Sequence, residues 1–176
     1  MSAYDTLAIG MASERFIDDG YGQCQSAEDV YQSARTLVDM LREKGTRTSE
    51  QIIIDPGLAP VGADTYGLVN MGLDAIRLIR RDPELNGVHI SVGLTNFSFG
   101  TPKHIREGLE NAYLTLAVRE GLDFVLGNPE KQLHILPAED QYIRTVTKAL
   151  QCGRPESGES QEDAGFRQAM TIMELF

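Results

Sequence analysis

Three polar residues stand where side-chain chemistry is available: Asp55, Asn96 and Asn128. Asp55 closes the run Ile52-Ile53-Ile54 and precedes Pro56-Gly57. Asn96 lies inside HISVGLTNFSFGTP, His89 to Pro102, where a β-branched run turns at Gly93 into a polar, glycine-flanked loop. Asn128 follows LDFVLG and precedes Pro129. A carboxylate accepts two hydrogen bonds at once, and an amide donates and accepts together. Groups of this kind at strand ends suit a heteroaromatic ligand with an aminopyrimidine edge. Asn96 is the residue best placed to touch a reacting group. Each residue also has a plainer reading. Asp before Pro-Gly and Asn before Pro are turn formers, and Asn128 fits that description more closely than a binding role.

Other residues offer less. Ser98 has no G-x-S-x-G elbow and no evident base in the sequence. Gly93 and Gly100 form neither a dinucleotide fingerprint nor a P-loop. His89 falls in a strand, His104 at a helix start, and His134 in an apolar run; Tyr66 and Tyr113 read as helix packing. Cys24 and Cys152 are isolated, so neither a metal site nor a disulfide framework is expected.

The elements that must position these residues alternate. Thr6–Met11 reads as a buried strand and 13–25 as a long polar loop. Ser26 and Asp29 form a capping-box pattern that opens a helix to about 44, stopped by Gly45. Residues 51–55 form the second strand, its isoleucines implying burial on both faces as in a parallel sheet. A helix over 65–81 ends at Asp82-Pro83. The His89 strand comes next, then a helix over 103–120 closed by Gly121. Leu122–Leu126 is the fourth strand, and Pro137 opens a helix to about 151. Residues 1–152 thus read as one α/β domain of four strand–helix units, whose ligand site belongs at the C-terminal ends of parallel strands. Residues 153–165 read as an acidic flexible linker, and 166–176 as a short amphipathic helix or tail.

Composition narrows the classes. The chain has 176 residues, enough for a real core. Its formal net charge of −10 opposes binding to nucleic acid or an anionic membrane, both of which need a basic face; an acidic surface suits a basic partner instead. No run reaches transmembrane length and the N-terminus lacks a signal-peptide pattern, so the expected compartment is the cytoplasm.

With these residues in view, the chain resembles the pterin-binding family. More closely, it looks like the methyltetrahydrofolate-binding methyltransferases, which include the folate domain of cobalamin-dependent methionine synthase. The resemblance rests on IIIDPGLAPVG (Ile52 to Gly62), GLTNFSFGTP (Gly93 to Pro102), the run from Ile105 to Lys131, and LPAEDQYIRTVTKALQ (Leu136 to Gln151). It implies the last four units of an eight-stranded β/α barrel, a fold of about 250 residues. It also implies a methyltetrahydrofolate site at the strand C-termini, with Asp55 on the pterin edge, Asn96 at the methyl-bearing nitrogen, and Asn128 as a looser match. The methyl acceptor implied is a corrinoid (cobalamin) presented in trans by a partner protein or domain. Four strands leave unpaired edges at Thr6–Met11 and Leu122–Leu126. The expectation is therefore a fragment, a homodimer, or a chain completed by a separate N-terminal half. Glu110 stands where the family often has Asn or His. Dihydropteroate synthase shares Asp55-Pro56-Gly57. The lysine it carries soon after is missing here, and its Ser-Arg-Lys triplet is replaced by Thr95-Asn96-Phe97, which favours methyl transfer. A non-catalytic half-barrel that binds only pterin or a partner is the reading from outside enzymology.

Overall fold

The computed structural model describes residues 6–17, 20–44 and 47–175. The architecture is α/β. A four-stranded parallel sheet has the order β1-β4-β5-β6, built from β1 (Ala8–Met11), β4 (Ile52–Asp55), β5 (His89–Gly93) and β6 (Phe124–Leu126). Helices α1 (Ala27–Glu43), α2 (Leu68–Arg81), α4 (Lys103–Glu120) and α5 (Gln141–Cys152) alternate with the strands, and α3 (Leu94–Phe97) is a single turn after β5. Helix α6 (Gln161–Met173) ends the order. Contacts divide the chain into two compact units. The first comprises Met1–Gly57, Met71–Val92 and Glu120–Val125; the second comprises Leu58–Asn70, Gly93–Arg119 and Leu126–Phe176.

In the first unit, every residue of β4 is buried, as its isoleucine run requires. β1 pairs with β4 in register Ile9 to Ile53 and Met11 to Asp55. Gly10 faces α1, where a Cβ would already touch Ile54 and Leu37. The expectation of a fully buried first strand is corrected: Ile9 and Met11, on the other face, are 54% and 56% exposed. An edge strand buries only the face that a helix covers. Residues 13–25 are also more than a loop. Strands β2 (Glu14–Ile17) and β3 (Gly20–Gln23) form an antiparallel hairpin, with Phe16 opposite Tyr21 and their ring centroids 4.8 Å apart. The expected loop residues Asp18 and Asp19, and the expected helix stop Gly45, lie outside the described residues.

Helix boundaries follow their caps. Ser26 accepts the Asp29 amide at 3.1 Å and starts α1. α2 begins at Leu68 rather than 65, because the Asp64 carboxylate accepts the amides of Leu68 and Val69 at 2.8 and 2.9 Å. This leaves Tyr66 exposed and outside the helix, not packed. α5 begins after Asp140, whose side chain accepts the Tyr142 amide at 2.7 Å, rather than at Pro137. β6 is shorter than expected at its start. Asp123 turns its carboxylate to the Ile90 amide and to His89 Nδ1, both at 2.7 Å.

In the second unit, α5 and α6 pack together. The stretch expected as a flexible linker is a capped turn, and α6 starts at Gln161. Ser160 accepts the Asp163 amide at 3.1 Å, and Arg167 grips the Glu159 carboxylate at 2.8 and 2.6 Å. The acidic residues Glu162 and Asp163 occupy the first turn of α6, where the helix dipole favours them. Gln168 Nε2 donates to the Val61 carbonyl at 3.2 Å, tying α6 to the stretch that follows β4. Among the described residues, no helix is long and apolar enough to cross a membrane.

Candidate functional site

Asp55 lies at the C-terminal tip of β4 in the first unit and is 6% exposed. Its main-chain carbonyl accepts the Ala12 amide at 2.8 Å, which fixes the strand end. Its Oδ1 accepts the Gly57 amide at 2.8 Å. Gly57 is required there: its φ is +84°, and a Cβ would sit 2.8 Å from Ser13 Cβ. The turn-forming reading of Asp55 therefore accounts for one carboxylate oxygen. The second has no hydrogen bond among the described residues. Burial pushes the Asp55 carboxyl above the usual aspartate range, and the Gly57 hydrogen bond opposes that shift.

The same sheet face carries a residue that the sequence did not single out. Ser91 is 3% exposed, and its Oγ has no hydrogen-bond partner among the described residues. β4 and β5 pair with Ile53 opposite His89 and Ile54 opposite Ile90. Alternation places Asp55 and Ser91 on one face. The only sequence signal was a serine inside a β-branched strand.

In the second unit, Asn96 sits on α3, between Leu94 and Phe97, which are fully buried. Phe97 packs on Tyr113 with ring centroids 4.7 Å apart, and its carbonyl accepts the Val61 amide at 3.0 Å. Those anchors turn Thr95 and Asn96 outward. The Asn96 amide is exposed and makes no hydrogen bond among the described residues. Its Nδ2 lies over Gly93, 3.0 Å from where a Cβ would stand, so a larger residue at position 93 would push the amide aside.

Asn128 behaves as a turn former. Its Oδ1 accepts the Glu130 amide at 2.9 Å and its carbonyl accepts the Lys131 amide at 3.1 Å. Of the three sequence candidates, Asp55 belongs to the first unit, and Asn96 and Asn128 to the second.

The loops that bear Asn96 and Asn128 are joined through Glu110. This carboxylate is 1% exposed. It accepts the Ser98 hydroxyl, and Lys131 Nζ reaches its two oxygens at 2.6 and 2.8 Å. Ser98 thus does face a carboxylate, although the sequence showed no base for it. Both groups are buried and the carboxylate is neutralised by Lys131, so the set acts as a tether. Next along α4, Asn111 Oδ1 accepts the His134 amide at 3.1 Å, and Thr115 Oγ1 accepts the Leu136 amide at 2.9 Å. The polar residues of α4 therefore hold segment 131–136, and His134 has a structural place. A carboxylate beside the buried stripe of Leu109 and Tyr113 was the available signal, since a buried charge needs a partner.

Among the described residues, no group of three or more His, Cys, Asp or Glu is arranged to hold a metal ion. No protein-family model matches the sequence.

Proposed function

We propose that the chain forms the C-terminal half of a pterin-binding β/α barrel. In this reading it binds methyltetrahydrofolate and passes the methyl group to a reduced corrinoid carried by a partner protein or domain. The observation that carries this reading is Asp55: a buried carboxylate at a parallel-strand tip, one oxygen fixed by Gly57 and the other unclaimed. Such a group is built to receive N–H donors of a ligand edge, and desolvation strengthens that interaction.

Asn96 is the candidate catalytic residue. Methyl transfer from a tertiary amine requires its nitrogen to gain positive character, normally by protonation, before it can leave. A neutral amide stays hydrogen-bonded whether that nitrogen carries a proton or a lone pair. The outward, unengaged amide of Asn96 supports this role. Asn128 has a supporting part at most, because its side-chain oxygen is held in a turn.

The test is turnover: the purified chain, methyltetrahydrofolate and reduced cobalamin, with tetrahydrofolate measured by chromatography. Asn96→Ala should lower the rate about a hundredfold, as loss of a catalytic hydrogen bond does. A second reading, a non-catalytic pterin-binding half-barrel, draws support from the exposed Ile9 and Met11 on the helix-free face of edge strand β1. Saturable binding of methyltetrahydrofolate without turnover would select it. In the methyltransferase reading, a second copy or a complementary N-terminal half completes the barrel; in both readings the expected compartment is the cytoplasm.

A further inference from the structure

We infer that Ser91 is a second ligand-binding residue, which pairs with Asp55 to read the donor–donor–acceptor edge of a 2-amino-4-oxopyrimidine ring. This assignment rests on the pterin reading and extends it to a residue that the resemblance does not supply. A buried hydroxyl without a partner loses its hydrogen bonds to water and gains none in return, an arrangement that calls for an explanation. Ser91 Oγ is such a group. It shares a sheet face with Asp55 on the adjacent, hydrogen-bonded strand. Neighbouring strands run about 4.8 Å apart, close to the span from the 2-amino group to the 4-carbonyl of a pterin. The free oxygen of Asp55 is an acceptor, and the Ser91 hydroxyl can donate. Together they complement a ring edge that presents an amino group, a ring N–H and a carbonyl oxygen in sequence. Asp55 receives the N–H groups and Ser91 Oγ–H donates to the carbonyl oxygen.

The experiment compares two bicyclic probes by calorimetry, 2-aminoquinazolin-4-one and 2-aminoquinazoline, which lacks both the carbonyl and the adjacent ring N–H, so that the effect of Ser91→Ala on each probe reports the Ser91 contact. Wild type should prefer the first. Ser91→Ala should weaken that probe five- to tenfold, the scale of one buried hydrogen bond, and leave the second within twofold. The melting temperature, read on the same samples, should not fall, because the substitution removes an unpaired polar atom. Equal weakening of both probes would mark a structural role and overturn the assignment, as would an unchanged preference. In both cases wild-type binding would leave the pterin reading standing. Failure of folded wild type to bind either probe or methyltetrahydrofolate would overturn the pterin reading, and the Ser91 assignment with it.

Discussion

Asp55 and Glu110 are both buried carboxylates, and they solve the burial problem in opposite ways. Glu110 is satisfied by Ser98 and Lys131, whereas Asp55 retains an unclaimed oxygen and a raised pKa. Lys131→Met strands an uncompensated charge at a nearly inaccessible position and should cost about 3 kcal/mol. Glu110→Gln leaves a partly exposed ammonium that can turn to water, and should cost about 1–2 kcal/mol. Urea unfolding of the two variants checks this order. Asp55 makes the stability of the fold depend on pH. A folded-state pKa above the unfolded value means that the native chain holds the proton more tightly. Stability from this group is therefore complete below the ordinary aspartate pKa of about 3.9 and is lost as pH rises through the raised value. Asp55→Asn, which keeps an acceptor for Gly57, should flatten that stretch of the pH–stability curve. It should also raise the neutral-pH melting temperature by roughly a few degrees, measurable by calorimetric scans. The sequence showed Asp55 and Asn96 because their neighbours are distinctive: an isoleucine run with Pro-Gly, and a glycine-flanked polar turn. It did not show Ser91 or the Ser98–Glu110–Lys131 tether. Those depend on strand register and on a contact spanning 21 residues, and neither has a local sequence pattern.

Among the elements, long periodic segments were legible and their ends were not. α4 occupies the residues that its apolar stripe and Gly121 predict. α2 and α5 start later than periodicity suggests, because Asp64 and Asp140 choose the first turn through side-chain caps. The hairpin of β2 and β3 was hidden because its strands are short and polar, and its aromatic pair is visible only once the register is known. α6 covers much of the helix expected over 166–176, and only its start was hidden, because its acidic first turn looks like linker composition when the cap at Ser160 is overlooked. Its packing is close. Gly165 lies so near the Asp64 carbonyl that a methyl group there would collide with backbone that cannot yield. Gly165→Ala should therefore cost about 2 kcal/mol despite its better helix propensity. Gln161 is half-buried and donates its side-chain amide to the Gly153 carbonyl, so the exposed Glu162 is the better control, and Glu162→Ala should change stability by less than about 0.5 kcal/mol. Denaturation midpoints of the pair separate packing from propensity.

At the scale of the molecule, alternating strands and helices were read correctly as a parallel α/β sheet, since buried isoleucine runs and helix periodicity are properties of the chain itself. The division into two compact units, each drawn from three separate stretches of sequence, was not legible, because it depends on which segments pack together after folding. In the proposed half-barrel, the exposed Ile9 and Met11 of β1 are the residues that a completing half would cover. The proposed function stands or falls on a reduced pterin being received at Asp55. Calorimetric titration with methyltetrahydrofolate, on wild type and on Asp55→Ala and Asn128→Ala, addresses it most directly. Binding should be saturable, weaken at least tenfold in Asp55→Ala and stay within about twofold in Asn128→Ala, as expected for a charged hydrogen bond and a turn residue respectively. A folded wild-type chain that takes up no methyltetrahydrofolate, or binding that is indifferent to the loss of the Asp55 carboxylate, would contradict it.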